Sequence, residues 1–479
     1  MADDALDPTC GGLLPLVPGV ERRTAIFLQD GEPAWTRGEL RELSLAWGRL
    51  LARPAKGLVS ILCRNDSPPL AAILGSLAAG HAVALLDPGA PEAVLRRLQA
   101  NFSPDFLIFP ADTDTAAFEG SRSQRDGLNI VAREADDRAA PHPEVSLLLS
   151  TSGTTGSSKF VRLSGANLTS NADQISRALQ IAEGDIAAAH LPIHYSYGLS
   201  VVTSHLRSGA AVHLTSDSIT DPALWRALRR SGATHLPGVP FHYGFVARAN
   251  FATLLPPTLR TLTQAGGALA PRLQMRIHEA AEACGSRFFV MYGQTEAGPR
   301  MTTLSHERLL EKIGSVGPAL EGGSLEVVDD EGLPLEQGAI GHVVYEGPNV
   351  MLGYAESRDE LAAGDVMGGR LETGDLGRLD EDGYLFLTGR TKRFAKIHGL
   401  RIALDEVEAR FGEAGDVAAI DGGDKVLLFT PDPGRVASLV AAVAGDYHLM
   451  TADFRVRAVP AIPRKPSGKI DYAAIKNQQ

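Results

Sequence analysis

Ser150 through Lys159 reads STSGTTGSSK and directly follows the apolar run Val145 to Leu149. A buried strand feeding a loop of this kind suits the capture of an anion. Gly153 and Gly156 let backbone N–H groups converge, and the hydroxyls of Thr151, Ser152, Thr154 and Thr155 add donors beside the Lys159 ammonium. The loop is not of the Walker type, because its glycines are too close together and no Gly-Lys-Ser/Thr ends it. A second segment, Met291-Tyr292-Gly293-Gln294-Thr295-Glu296, places an aromatic, a hydroxyl and a carboxylate after a strand end. Such an aromatic can stack on a base, and the carboxylate can hold Mg²⁺ beside phosphates. A third, Glu372-Thr373-Gly374-Asp375, presents an acid after a tight turn, where it can take both hydroxyls of a ribose. Two basic segments follow, Gly389 to Arg401 and Pro463 to Lys469. Taken singly, each segment also fits a plainer role as linker, solvated turn or basic surface.

The elements that must position these residues follow from the apolar pattern. Strand-like runs at Gly57–Cys63, Ala82–Leu86 and Phe106–Phe109 alternate with helical stretches at Ser67–Ala79 and Pro91–Ala100. That alternation predicts a parallel sheet covered by helices. It resumes with strands at 145–149, 187–191, 211–214 and 288–291 and a helix near 166–180. Residues 112–142 lack periodicity and read as a surface excursion. After about residue 312 short strands predominate, with a hairpin turn at Asp380-Glu381-Asp382-Gly383. The last ninety or so residues read as a small α+β unit, with helices near 404–411 and 434–444. The domain boundary falls at Gly389–Lys392.

A chain of 479 residues predicts more than one core. Its net charge of −11 argues against a nucleic-acid partner but leaves room for a local site that binds anions. Cys10, Cys63 and Cys284 have no metal-ligand spacing and suggest inert thiols in a reduced compartment. The acidic N-terminus carries no leader pattern, and no apolar run approaches a membrane span. A cytoplasmic protein is expected.

Taken together and in this order, the segments resemble those of the adenylate-forming enzymes: acyl-CoA synthetases, peptide-synthetase adenylation domains and luciferase-like ligases. "QAGGALAP" at 264–271 and "LPIHYSYGLS" at 191–200 match two further segments, so the resemblance spans nearly the whole chain. It implies an α/β fold with a large N-terminal domain (1–390) of mostly parallel sheets and a β subdomain, and a small mobile α+β domain (391–479). It implies activation of a carboxylic acid by ATP and Mg²⁺ as acyl-AMP, then transfer to CoA or to the phosphopantetheine arm of an acyl carrier protein. By the same resemblance Thr151 to Gly156 and Lys159 hold the β- and γ-phosphates. Thr295 touches the α-phosphate, Glu296 binds Mg²⁺, and Tyr292 with Gly293 packs on adenine beside the backbone of Gly266, Gly267 and Ala268. Asp375 and Arg390 take the ribose, and Lys469 bridges the carboxylate and α-phosphate oxygens. The small domain rotates about Lys392, exchanging Lys469 for the segment around Lys396 to Gly399. Gly399 lets the thiol arm pass close to the backbone.

Several departures matter. Ser158-Lys159-Phe160 stands where many relatives have Pro-Lys-Gly, and Gly165 where many place His. Either His194 or Tyr195 faces the acyl site, and His235 to Tyr243, with His235 and Gly238 foremost, lines the acyl pocket or packs in the core. No aspartate occurs in 191–199, which favours an acid without an α-ammonium group. A shortened small domain also admits an enzyme that stops at the adenylate. A non-catalytic nucleotide-binding homologue is disfavoured by the retention of Lys159, Glu296, Asp375, Arg390 and Lys469.

Overall fold

The structure is a computed structural model. It describes residues 6–477 except 17–18, 91, 114–119, 135–137, 151–158, 249–253, 391–392, 399, 412–414, 447–448 and 466–467. Two eight-stranded sheets dominate. The first runs, edge to edge, Thr302–Leu304, Arg287–Tyr292, Thr261–Gln264, His235–Gly238, Ile186–Ala189, Ala211–Leu214, Thr24–Phe27 and Pro33–Thr36. Its six inner strands are parallel and its edge strands antiparallel. The chain leaves Ile186–Ala189 toward one side of the sheet and returns to the other side at His235–Gly238. That reversal of strand order makes a switch point, and open α/β sheets bind ligands outside the carboxyl ends of the strands there.

The second sheet runs Gly353–Ala355, Phe160–Ser164, Val145–Ser150, Ala82–Leu86, Leu58–Leu62, Phe106–Pro110, Leu128–Ala132 and Ser121–Arg125. Val145–Ser150, Ala82–Leu86, Leu58–Leu62 and Phe106–Pro110 form its parallel centre. Ala82–Leu86, Leu58–Leu62 and Phe106–Pro110 are predominantly apolar and buried along their whole length, as parallel strands must be when helices cover them. Residues 112–142 are therefore not all excursion. Ser121–Arg125 and Leu128–Ala132 form a hairpin on the sheet edge, closed by Asp126 and Gly127 at φ +51° and +77°. An Asp-Gly pair with both φ positive is a strong hairpin turn, and the polar surroundings of this one hid it.

The carboxyl ends of the two sheets meet at residues 189–199. Asn65 follows the strand Leu58–Leu62, and its amide donates to Ala189 O at 3.0 Å and Leu191 O at 2.7 Å and accepts from Ile193 N at 2.9 Å. A third sheet of four antiparallel strands, Ser324–Val328, Gly341–Glu346, Arg370–Leu379 and Leu385–Arg390, carries Asp375. The turn at 380–383 joins its last two strands. Beyond residue 394 a two-stranded and a three-stranded sheet enclose cores made only of residues from that part of the chain, around Val407, Phe411, Leu428 and Ile475. Among the described residues no helix is long and apolar enough to cross a membrane.

Candidate active site

Tyr195 ends the turn that follows Ile186–Ala189 and stands before the helix Ser196–Arg207. It therefore lies at the switch point. The Lys469 ammonium sits 5.2 Å from the centre of its ring. The lysine reaches this position from a tight loop in which Lys465 N donates to Lys469 O at 2.8 Å and Arg464 pairs with Ile470. Arg464 anchors that loop by lying 4.9 Å over the Phe241 ring. The His194 Nε2 lies 3.8 Å from the Asp87 carboxylate, and Tyr195 is the one whose ring lies against Lys469.

Gly266 completes the pocket. Its φ is +84°, and a Cβ there would lie 2.7 Å from the Tyr195 hydroxyl and 3.2 Å from Val239. Bare backbone fills a slot that a side chain cannot enter. Gly267 and Ala268 follow it in the open. Gly238 packs under the Tyr243 ring, where an added Cβ would come 2.7 Å from the ring edge. His235 starts the strand that Gly238 ends, so it is not beside Lys469. It is buried against His205, 4.8 Å between ring centres, and Asp185, 3.8 Å away.

The strand Arg287–Tyr292 delivers the second group. Tyr292 and Asp375 are both buried, and the Tyr292 hydroxyl donates to the Asp375 carboxylate. Gln294 Nε2 donates to the same carboxylate oxygen at 2.7 Å and to Thr373 O at 2.7 Å. The backbone of Asp375 pairs with that of Arg390 across the hairpin. Thr295 begins a single 3₁₀ turn, and its hydroxyl lies 3.0 Å from that of Ser196. Glu296 accepts a hydrogen bond from the Tyr354 hydroxyl at 3.0 Å. The Lys159 ammonium lies 3.3 Å above the centre of the same Tyr354 ring.

One cleft thus gathers Lys159, Gly266, Tyr292, Thr295, Glu296, Asp375, Lys469 and Tyr195. Thr151 to Gly156, Lys392 and Gly399 lie outside the described residues. Lys396 lies in the strand Phe394–Ile397 of the small C-terminal unit. Tyr354, Ser196 and Gln294 join the cleft without having been singled out from the sequence. His190 was missed as well, and it packs on His242 of the 235–243 segment. Their rings lie side by side at the switch point, 3.4 Å between Nε2 and Nδ1. Burial holds His190 down to about 4 and, with His190 and Arg464 nearby, holds His242 well below its usual value. The pair is uncharged at neutral pH.

A sequence model of the AMP-binding enzyme family matches residues 19–355, a span that holds Lys159, Thr295, Glu296 and Tyr354. The chain belongs to the AMP-binding enzymes. Among the relatives of this family member is the sulfoacetate–CoA ligase of Cupriavidus necator, 28% identical over 94% of this chain and 93% of that one. The oxalate–CoA ligase of Arabidopsis thaliana is 32% identical over 64% of this chain and 56% of its own. In fold, this AMP-binding enzyme is similar to ATP-bound MatB of Rhodopseudomonas palustris, with TM-score 0.78, 22% identity and 99% of each chain covered. It is also similar to the Bacillus subtilis o-succinylbenzoate CoA synthetase in complex with ATP and magnesium, with TM-score 0.77, 22% identity, 97% of this chain and 99% of that one.

The residues fit a magnesium nucleotide. Gly266 presents bare backbone beside Tyr195 and Lys469, and the buried acid Asp375 is held by Tyr292 and Gln294. Lys159 stands over one face of Tyr354 and Glu296 at its hydroxyl, a cation and a carboxylate of the kinds that suit a metal-bound polyphosphate. Among the described residues no cluster of three His, Cys, Asp or Glu side chains could hold a metal alone. Mg²⁺ needs few protein ligands when phosphates supply the rest, and Glu296 provides one carboxylate.

Proposed function

We propose that this cleft activates a carboxylic acid lacking an α-ammonium group and passes the acyl group to CoA. The enzyme is an adenylate-forming acid–thiol ligase. A carboxylate oxygen of the acid attacks the α-phosphorus of ATP, the bond to the β-phosphate oxygen breaks, and pyrophosphate leaves. The CoA thiol gives up its proton to water, its sulfur attacks the acyl carbon, and the bond to AMP breaks with its electrons leaving on AMP. Bound Mg²⁺ neutralises phosphate charge.

The chain's own residues do the positioning. Lys469 sets a full positive charge beside the acid and the α-phosphate, where negative charge gathers in the transition state. Lys159 and the loop 151–156 hold the distal phosphates, Thr295 the α-phosphate and Glu296 the metal. Tyr292 and the backbone of Gly266 to Ala268 flank adenine, while Asp375 and Arg390 hold the ribose. For the second step the unit 391–479 turns about Lys392 and brings Lys396 and Gly399 to the cleft in place of Lys469. A carrier-protein arm would use the same path. A cytoplasmic setting belongs to this reading and is supported by three unpaired cysteines, two of them buried. The observation that carries the proposal is the Lys469 ammonium, held over Tyr195 in the cleft that also contains Glu296 and Asp375.

The test is pyrophosphate release with ATP, Mg²⁺ and hydroxylamine over a panel of carboxylic acids, with Lys469→Ala alongside. Turnover that collapses in the variant supports the reading. Turnover that survives there removes Lys469 from its role.

A further inference from the structure

Lys469 stands in the cleft because the loop that carries it is docked there. Two contacts of that loop lie off the reacting groups. The first is at Gly468, where φ is +77° and an added Cβ would come 2.6 Å from Val239 Cγ2 and 3.9 Å from His242 Nε2. The second is at Arg464, whose guanidinium lies 4.9 Å from the centre of the Phe241 ring. Val239, Phe241 and His242 sit where the strand His235–Gly238 passes into the helix Pro240–Arg248.

Arg464 also has partners within its own unit. Its Nη1 donates to Gly468 O at 2.9 Å and its Nη2 to the Asp416 carboxylate at 3.0 Å. Gly468 N donates to Lys465 O at 2.8 Å, and Asp471 N donates to Pro463 O at 2.8 Å, which closes the loop at both ends. All of these groups come from the chain beyond residue 394 and travel with Lys469. The Phe241 ring does not. It packs against two cores built from residues before 390, so it is a fixed receiver. A ring face attracts a guanidinium without asking for a hydrogen bond, so this contact adds to the bonds inside the loop and does not compete with them. Burial holds the neighbouring His242 well below its usual value, so no positive charge there opposes the guanidinium at neutral pH.

The contact between Arg464 and Phe241 therefore belongs to the orientation that places Lys469 over Tyr195. When the unit turns away the contact breaks, while the bonds to Gly468 and Asp416 persist in either orientation. An interaction present in one of two states shifts their equilibrium by its own strength. For a guanidinium on a partly exposed ring the shift is about 5-fold.

We infer that Arg464 and Phe241 form a latch that holds Lys469 in the reaction cleft and sets the balance between acyl-AMP formation and the thiol step. This rests on the two-step reading above and goes beyond it by naming what governs the exchange. Arg464 is a positioning residue and takes no part in the bond changes.

The test measures the two half-reactions apart on the whole enzyme, each at saturating substrate. One is pyrophosphate release with ATP, Mg²⁺, acid and hydroxylamine. The other is thioester formation from prepared acyl-AMP and CoA. Adenylation scales with the docked fraction and thioester formation with the undocked fraction, so their ratio follows the docking equilibrium whichever state predominates. Wild type, Arg464→Met, Phe241→Leu and the double variant are compared. Phe241→Leu should lower the ratio about 5-fold, with thioester formation held or raised. Arg464→Met should lower it at least as far, because the loop also loses its bonds to Gly468 and Asp416. The double variant should match Arg464→Met, since the ring has no effect without the cation. Arg464→Lys, which keeps a cation over the ring, should recover part of the ratio. Additive effects of the two changes, or a wild-type ratio in Phe241→Leu, would reduce Arg464 to a brace within its loop and overturn the inference. Wild type that forms acyl-AMP but no thioester would overturn it as well and leave adenylation standing. Silence of wild type in both assays, with every acid, would overturn the reading it rests on.

Discussion

The hydroxyl of Tyr354 donates to Glu296 Oε1 at 3.0 Å while its ring carries the Lys159 ammonium on one face. Tyr354 lies in the strand Gly353–Ala355 and Glu296 in the 3₁₀ turn Thr295–Ala297, far apart in sequence. Tyr354 is placed because Gly353–Ala355 pairs antiparallel with Phe160–Arg162, one residue beyond Lys159. Tyr354 thereby fixes the distance between a cation and the carboxylate that, in the proposed reading, face the triphosphate. Burial and the adjacent Glu296 hold its phenol above the usual value, so the hydrogen bond survives through the alkaline range.

Tyr354→Phe should therefore lower adenylation about 10-fold, the scale of one hydrogen bond to a charged group at a partly exposed position. The Mg²⁺ concentration for half-maximal rate should rise with it, because Glu296 loses its orienting donor. A magnesium titration of pyrophosphate release checks this. An unchanged magnesium midpoint would reduce Tyr354 to a packing residue.

Lys469→Ala should cut acyl-AMP formation at least ~10²–10³-fold, as expected when a full charge is removed from the reacting centre. Chemically prepared acyl-AMP supplied with CoA should still give thioester at a rate within about 10-fold of wild type, if the proposed second step exchanges this lysine for the 396–399 segment. Equal loss in both half-reactions would mean that Lys469 does not leave the cleft.

Asp375 receives both the Tyr292 hydroxyl and the Gln294 amide, so its carboxylate is held in one orientation before nucleotide arrives. Asp375→Asn should raise KM for ATP by about 10- to 100-fold, the range for losing a charge-assisted hydrogen bond, with a smaller effect on kcat. Steady-state kinetics with ATP varied at saturating acid separates the two.

How much of this was legible in sequence depended on whether a residue's role is local. Lys159, Glu296 and Lys469 follow a strand end or a glycine turn and Tyr292 ends its strand, where glycine and hydroxyl patterns leave a mark, whereas the turn expected at Glu372–Asp375 is a stretch of the strand Arg370–Leu379, with Gly374 at φ +71° in mid-strand. Tyr354 carries no such mark, being one aromatic in an ordinary stretch that acquires meaning only from the pairing of Gly353–Ala355 with Phe160–Arg162 over a long separation. The strand Arg370–Leu379 was missed because its exposed charged residues alternate with small and apolar ones, which blurs the apolar run. The choice between His194 and Tyr195 turned on which way a single turn rotates. That is set by Asn65 holding the 189–193 backbone from the other sheet, which adjacent sequence does not encode.

Stability should fall as the pH drops. His190 and His205 are each held down to about 4 by burial, against an ordinary value near 6.5. Between those values the unfolded chain binds protons that the native chain does not, so unfolding takes up protons and the free energy of unfolding rises with pH. The stabilisation is complete above about 6.5 and is lost toward about 4. Urea unfolding midpoints measured from pH 7.5 down to pH 4.5 should decline mainly below about 6.5, and His205→Phe should flatten the decline. A midpoint constant over that range would mean that the native protein lets these imidazoles take up protons where they sit.

Gly266→Ala joins backbone strain to function in one change. At φ +84° an alanine costs about 1 kcal/mol or more in backbone energy alone, and its Cβ would press on the Tyr195 hydroxyl 2.7 Å away. Tyr195 must then move, and Lys469 rests against its ring. The variant should melt a few degrees lower and lose adenylation by more than its fold loses stability. Paired measurement of melting temperature and pyrophosphate release on the same preparation decides it. A variant that melts lower but adenylates at the wild-type rate would show that the Tyr195–Lys469 contact does not position the lysine.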